Sequence, residues 1–420
     1  MGRELVTIDA ARGIVLERVE PLPPERVKLG DALGRVAAEE VRSADDVPGF
    51  DNSAMDGFAL RAADTAPAAA GRPVRLTVVG ESRAGHPASR PVGAGEAIRI
   101  STGAMLPEGA DAVLRQEDAA EVEGAIEVGA RLAEGNDIRR RGEDVAVGAA
   151  VVPASAVLGA AELGVLASVG VAELACSRRP RLALVVTGDE LVEPGPELGP
   201  GQIRNSNLYS VGAQARGAGC DVTSERMVGD DYAATLEAIR DGLGADLMVI
   251  CGGVSVGPHD HVKAALDELG VEEDFWGIAL RPGRPTWFGV HFGEPTAERP
   301  GRTLVFGLPG NPVSAMVTFQ LLVRPALVAM SGAEKGPPAR LSATFDADYP
   351  KRPGRVHAVR CHAELGDDGW HVRPTGAQGS HILTSMLGAG ALAMIEAERG
   401  DVVAGERVEI ELLDRAPQLG

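Results

Sequence analysis

Between residues 181 and 330, short apolar runs alternate with amphipathic stretches, and this alternation restricts the fold more than any other feature of the chain. RLALVV (181–186), DLMVI (246–250) and TLVFG (303–307) are almost continuously apolar, as strands buried on both faces are. FWGIAL (275–280), TWFGV (286–290) and residues 221–228 read as further strands. Helical spacing marks 206–217, 231–243, 259–269 and 312–330. Strands alternating with helices predict a mostly parallel, doubly wound α/β sheet.

The flanking segments have other textures. Residues 7–19 and 31–42 carry helix-like apolar spacing, with Thr7 and Asp31 placed as N-caps. From 46 to 143, glycine and proline punctuate β-type runs such as VRLTVVG (74–80), AIRIS (97–101) and AIEVGARL (125–132). A helix is expected again over 155–168, and short strands after the linker 331–338. The expected organisation is a split helical region (1–45 plus 146–180), a β-rich insert (46–145), the α/β unit (181–332) and a small β domain (338–420).

Charge limits the partners. Lys+Arg total 41 against 60 Asp+Glu, a net charge of −19, which argues against nonspecific nucleic-acid or anionic-membrane binding. Lysine occurs only at Lys28, Lys263, Lys335 and Lys351, so positive charge is nearly all arginine, the side chain suited to bidentate oxyanion recognition. Cys176, Cys220, Cys251 and Cys361 form no C-x-x-C pair and read as reduced, buried thiols of a cytoplasmic protein. The start of the chain has an amphipathic helix pattern rather than that of a signal peptide. The apolar stretch 151–175 contains Glu162 and Glu173 and reads as a packed helix and strand, not a membrane span.

In doubly wound sheets, ligands sit beyond the carboxyl ends of the strands. Three glycine-bearing loops fall there: TGDEL (187–191), CGGVSVGPHDH (251–261) and GLPGNPVS (307–314). Alone, each is as consistent with a tight turn as with a phosphate cradle, because none has P-loop or dinucleotide-fold spacing. Three on one sheet favour an anion site, since glycines let backbone N–H groups approach and each loop opens a helix. Asp189, Glu190, Asp230, Asp231 and Asp260 crowd the same ends, either as helix caps or as Mg²⁺ ligands beside phosphate. Arg281 and Arg284 lie in the stiff RPGRP turn, and Arg355 and Arg360 in GRVHAVR. The insert carries Asp51, Asn52, Ser53 and Asp56 in FDNSAMDG, Ser101 and Thr102 in STGAM, and three arginines beside Glu143 and Asp144 in IRRRGED. Asx turns and solvated charge are the plainer readings of these stretches.

Taken together, FDNSAMDGFA, STGAMLPEGADAV, IRRRGEDV, TGDELV with IRNSN, GGVSVGPHD, LRPGRP, FGLPGNPVSA and TGAQGSHIL resemble one family. It is the molybdopterin molybdenumtransferases of molybdenum-cofactor synthesis, the MoeA / gephyrin E-domain family. The matches run in order from 47 to 383. The resemblance implies an L-shaped homodimer whose split helical region mediates dimerisation and whose last domain is a β-barrel. It implies conversion of adenylylated molybdopterin and molybdate to molybdenum cofactor and AMP, with Mg²⁺ as cofactor.

Carried onto this chain, the resemblance makes Asp56, Thr102, Asp144, Glu190, Asp230 and Asp260 candidate catalytic residues, with Asp260 and Glu190 as metal ligands. The pterin nucleotide falls to Thr187, Gly188, Asp189, Asn205, Gly252, Gly253, Ser255, Gly257, Pro309, Gly310, Asn311 and Pro312. Molybdate falls to Arg281, Arg284, Ser314, Arg355 and Ser380. Relatives commonly have lysine where this chain has Arg281 and Arg284, so charge is kept while geometry changes. The molybdopterin adenylyltransferase and molybdoenzymes are candidate protein partners. Two alternatives stand beside this expectation: the adenylyltransferase itself, which shares the α/β unit, and a protein-binding scaffold of the gephyrin type.

Overall fold

The computed structural model describes residues 5–253, 261–294, 301–333 and 340–413. Its largest core is built on a six-stranded sheet in the order Asp221–Val228, Arg181–Thr187, Leu247–Cys251, Arg302–Leu308, Trp287–Phe292, Glu272–Trp276. Its first four strands run parallel; the last two are antiparallel additions at one edge. Side chains alternate between the faces. Leu184, Val249 and Phe306 meet Val211 and Val317 on one side, and Ala183, Met248 and Val305 meet Ile239 and Leu266 on the other. Helices cover both faces, which is why these strands carry so little polarity.

One face is covered by helix Asn207–Gly217, by Ile8–Glu17 and by the helical stretch from Pro312 to Met330. That stretch is apolar enough to cross a membrane, but 83% of its most apolar part is buried inside the protein. It contains a π-helical turn at Phe319–Val323 just before Pro325. Pro325 has no N–H to offer the carbonyl of Leu321 four residues back. The Nε of Arg12 donates to that carbonyl instead, at 2.8 Å. Thr7 caps the first helix by accepting the Ala10 N–H.

The predicted helix at 31–42 is not formed. A short 3-10 turn at Leu29–Asp31 is followed by Gly34 at φ +71°, a conformation that ends a helix. Beyond it the chain is extended, with Val36 bridged to Val157 and Ala37 to Cys176. Pro24–Lys28 pairs with Glu173–Ser177, and Val41–Arg42 with Ala150–Val152, around Val27, Leu158, Leu166 and Leu174. The apolar spacing there serves long-range pairing rather than a helix face. Residues 151–175 accordingly divide among a strand, the helix Ala160–Ser168 and a second strand.

Residues 57–128 form a curled six-stranded sheet over Phe58, Leu60, Leu76 and Ile126. Gly57 of the FDNSAMDG stretch opens its Gly57–Leu60 strand, where a Cβ would lie 1.9 Å from the Leu114 carbonyl oxygen. Only glycine permits that approach. In the C-terminal region, Val356–Gly366, Gly369–Pro374, Leu341–Phe345, Glu406–Leu412 and Ala391–Ile395 pair in sequence and back to Val356–Gly366, closing a five-stranded barrel. A sixth strand, Leu280–Arg281, comes from the α/β region and pairs in parallel with Val356 and His357. The RPGRP turn is therefore stitched directly to the barrel wall.

Candidate active site

Three sheet strands deliver their loops to one place. Gly252 and Gly253 follow Leu247–Cys251 at φ +94° and +61°. A Cβ on Gly252 would stand 2.8 Å from the Thr187 carbonyl oxygen, and one on Gly253 would stand 2.6 Å from the Val262 side chain. A Cβ on Gly310 would touch Gly252 Cα at 3.6 Å. The loops after Thr187 and Cys251 thus meet because glycine lets backbone approach backbone, and the loop after Leu308 packs on them at ordinary contact distance. Asn207 fastens the third by donating to the Gly310 carbonyl at 2.8 Å. Asn311 stands at the N-cap position ahead of Pro312, although its side chain makes no capping bond.

Around this convergence, polar atoms are buried with nothing to bond. Thr187 Oγ1, Asn205 Nδ2 and Asn207 Oδ1 have no partner among the described residues. Asn205 Oδ1 is occupied by the Leu208 N–H at 3.1 Å. Buried polar atoms are nearly always satisfied, so three orphans together mark a place for a polar ligand. Ser255, Gly257 and Asp260, assigned to the same loop from sequence, lie outside the described residues.

The acids divide by role. Asp231 is a helix cap, accepting the Ala234 N–H at 2.8 Å. Asp189 Oδ1 accepts the Asp230 N–H at 2.8 Å and so fixes one strand-end loop against the next. The exposed Glu190 carboxylate folds over Gly188, whose Cβ would meet it at 2.5 Å. Among the described residues no three His, Cys, Asp or Glu side chains group to hold a metal unaided. Exposed single carboxylates do suit Mg²⁺, which takes one or two together with phosphate oxygens and waters.

Beside the loops lies a cleft of about 360 Å³ lined by Arg281, Arg284, Ser314, Arg355 and Ser380 together with Pro309 and Asn311. All five molybdate candidates share it. The parallel pairing of Leu280–Arg281 with Val356–His357 sets Arg281 opposite His357 and brings Arg281 and Arg355 to the same cleft. Ser314 is nearly buried, on the first turn after Pro312, and the Val313 N–H donates to the Ser380 carbonyl at 3.2 Å.

The sequence marks Arg360 only as a charge in GRVHAVR with a solvated surface position as the plainer reading, yet it is buried and organises the loop that carries Ser380. Only 1% exposed, its guanidinium donates to Ser385 Oγ and to the Gly379 carbonyl, and its N–H donates to Gln378 Oε1. Burial lowers its pKa to about 10, so it stays charged at neutral pH. His357 was also missed. Its Nδ1 is 3.0 Å from the Tyr349 hydroxyl, and burial, followed by Arg281, Lys351 and Arg355, holds its pKa down to about 4. The basic run YPKRPGR (349–355) was the available signal for this neighbourhood.

A pH dependence follows from His357. Because its folded pKa lies below the ordinary 6.5, the unfolded chain binds the proton more tightly. Stability from this group is full above about 6.5 and falls as pH drops towards 4. Replacing His357 with glutamine should flatten the denaturant midpoint over that interval relative to the parent; an unchanged slope would remove His357 as the cause.

The insert residues stand apart. Asp56 Oδ1 accepts the Thr102 N–H at 2.7 Å, and the Asp144 N–H donates to the Val47 carbonyl. Arg140 pairs with Asp51 and Arg141 with Asp46, both at 2.6 Å, so IRRRGED is in part a salt-bridged face. Those contacts hold Asp46 and Asp51 below the usual carboxylate range, backbone N–H donation from Val147 and Arg141 contributing most. No hydrogen bond or ion pair among the described residues joins 46–145 to the α/β sheet. Asp56 and Thr102 are thus hydrogen-bonded to each other, and among the described residues no hydrogen bond or ion pair ties them or Asp144 to the strand-end loops of their own chain.

Comparison with known proteins gives concordant matches. Three family models match in order: the MoeA N-terminal region, domains I and II, over residues 6–170; a probable molybdopterin binding domain over 183–329; and the MoeA C-terminal region, domain IV, over 342–413. A molybdopterin molybdenumtransferase of Haemophilus influenzae is 38% identical over 413 residues, covering 97% of this chain and 98% of its own. Its counterpart in Staphylococcus aureus is 30% identical, covering 98% and 96%. The crystal structure of a molybdopterin biosynthesis MoeA protein from Pyrococcus horikoshii superposes with a TM-score of 0.82 at 30% identity, over 98% of this chain and all of that one.

Proposed function

The chain belongs to the MoeA family and is a molybdopterin molybdenumtransferase, a transferase of molybdenum-cofactor biosynthesis; from that premise we propose how its own residues divide the work. Neither alternative reading is favoured. The adenylyltransferase accounts only for the α/β part, whereas the matches run the full length of the chain.

The adenylylated pterin lies across the converged strand ends. Gly252, Gly253 and Gly310 offer backbone to the phosphates, while Thr187, Asn205 and Asn207 give their orphaned polar atoms to the substrate. Molybdate, a dianion, occupies the neighbouring cleft. There Arg281, Arg284 and Arg355 supply charge and fork-shaped donors, and Ser314 and Ser380 supply hydroxyls. Glu190, with Asp260, would hold Mg²⁺, which when bound neutralises charge on the phosphoanhydride during cleavage to AMP. Arg360 keeps Ser380 in place. Asp56, Thr102 and Asp144 reach a site only if a second copy presents its insert to these loops, which supports a homodimer with composite sites.

One observation carries this reading. The cationic, hydroxyl-lined cleft opens beside the glycine loops, so an oxyanion and a phosphorylated pterin can lie next to each other. The protein incubated with adenylylated molybdopterin and Mg²⁺ should release AMP only when molybdate is added. Release that ignores molybdate, or none from folded protein, would overturn the proposal.

A further inference from the structure

The barrel carries a second cavity that the reaction as described does not use. It has a volume of about 670 Å³ and is lined by Lys351, Arg352, His357 and Asp401, together with Arg281 and Arg355. The last two also line the oxyanion cleft, so the two cavities share a wall of guanidinium groups.

Two features show that this cavity is built. Its rim segment is fastened to the turn at 396–401. Lys351 Nζ donates to the carbonyls of Ala397 and Arg399 at 3.0 and 2.7 Å, and the Lys351 and Gly354 N–H groups donate to Asp401 Oδ1 and the Ala397 carbonyl. The other feature is its charge. In a chain of net charge −19, arginines elsewhere are commonly paired with acids, as Arg12, Arg18, Arg35, Arg178 and Arg340 are. Arg281, Arg284, Arg352 and Arg355 have no carboxylate partner among the described residues. Three of these, Arg281, Arg352 and Arg355, line this cavity together with Lys351, and the four cationic side chains face a single carboxylate, Asp401, which already accepts from the Lys351 backbone. The nearly buried His357 sits in the same wall beside the Tyr349 hydroxyl. Unpaired guanidinium groups around a fixed cavity are a receptor for a tetrahedral dianion.

We propose that this cavity is a second oxyanion site, an outer station that takes up molybdate before it passes between Arg281 and Arg355 into the inner cleft. The proposal rests on the inner cleft being the molybdate site, but the cavity's own test needs no pterin and no turnover. Local concentration of a dianion at the mouth of a buried site speeds its entry, and a chain this acidic would otherwise repel it.

Equilibrium dialysis of the intact protein against molybdate alone should find two ions per chain. Arg352→Ala alters only the outer cavity and an exposed side chain, and should leave one; Arg352→Lys should retain a weakened second site. Ser314→Ala combined with Arg284→Ala should remove the other ion. A single ion in the parent, lost on changing the inner cleft and indifferent to Arg352, would overturn the outer station while leaving the inner reading intact. Equimolar sulfate separates a molybdate station from a general dianion site: retention of both molybdate ions supports the loading role, and loss of the outer one refutes it. If AMP release is independent of molybdate while two ions still bind, the inner reading fails and the outer cavity stands as an oxyanion site only.

Discussion

Alanine in place of Arg355 is expected to raise the molybdate concentration for half-maximal AMP release by about a hundredfold, and the pterin requirement far less. Arg355 is the residue that both cavities share on the barrel side. Removing one partner of a desolvated charge pair costs about 2–5 kcal/mol, and about 1.4 kcal/mol is tenfold in affinity, so a hundredfold loss lies within the expected range. The position of Arg355 does not depend on its own side chain. The Val356 N–H donates to the Ala279 carbonyl, and Leu280 and Arg281 pair with Val356 and His357, so the backbone should survive the substitution. Arg355→Lys should fall between the two, because ammonium keeps the charge but loses the fork. Equal rises in both substrate requirements would place Arg355 outside the oxyanion site. The measurement is initial AMP release with each substrate varied in turn.

How much of this was legible in the sequence depended on how local the cause was. Strands Arg181–Thr187, Leu247–Cys251 and Arg302–Leu308 were readable because burial on both faces leaves an unbroken apolar run. The loop after Leu247–Cys251 was readable because close backbone approach admits only glycine, as at Gly252, where a Cβ would stand 2.8 Å from the Thr187 carbonyl oxygen. The segment 31–42 was not, because Val36 and Ala37 pair with residues more than a hundred positions away and no local pattern records that. The molybdate candidates were picked by residue type and resemblance. What puts them in one cleft is the parallel pairing of a two-residue strand with the barrel, a contact too short to leave a signal. Arg360 and His357 escaped for a related reason: their roles come from burial, and the sequence gives an arginine or a histidine no mark of being inside. Asp231 shows the converse, an acid at a promising strand end that turned out to cap a helix.

The same cleft needs the barrel held against the α/β layer, and much of that task falls on one buried ion pair. Arg12 donates to both Glu411 carboxylate oxygens at 2.7 and 2.6 Å, and both side chains are almost fully buried. Arg12 also holds the Leu321 carbonyl that Pro325 leaves unbonded. The first helix, the long core helix and the last barrel strand thus meet at one guanidinium. Glu411→Ala is expected to cost about 3–5 kcal/mol, because it strands a buried positive charge rather than merely deleting a contact. Arg340, 3.4 Å from Glu411, loses the same partner but keeps Asp9 and Glu409, whereas Arg12 keeps no carboxylate among the described residues. Urea unfolding followed by tryptophan fluorescence and by circular dichroism should show the loss. Combining Arg12→Met with Glu411→Leu should recover most of it, since an apolar pair of similar volume leaves no charge to solvate. A Glu411→Ala variant as stable as the parent would mean that water reaches Arg12 and that the clamp lies elsewhere. If the clamp is as described, Glu411→Ala should also weaken molybdate binding. Arg281, Arg284 and Ser314 belong to the α/β side of the cleft and Arg355 and Ser380 to the barrel, so the cleft exists only while the two sides stay together.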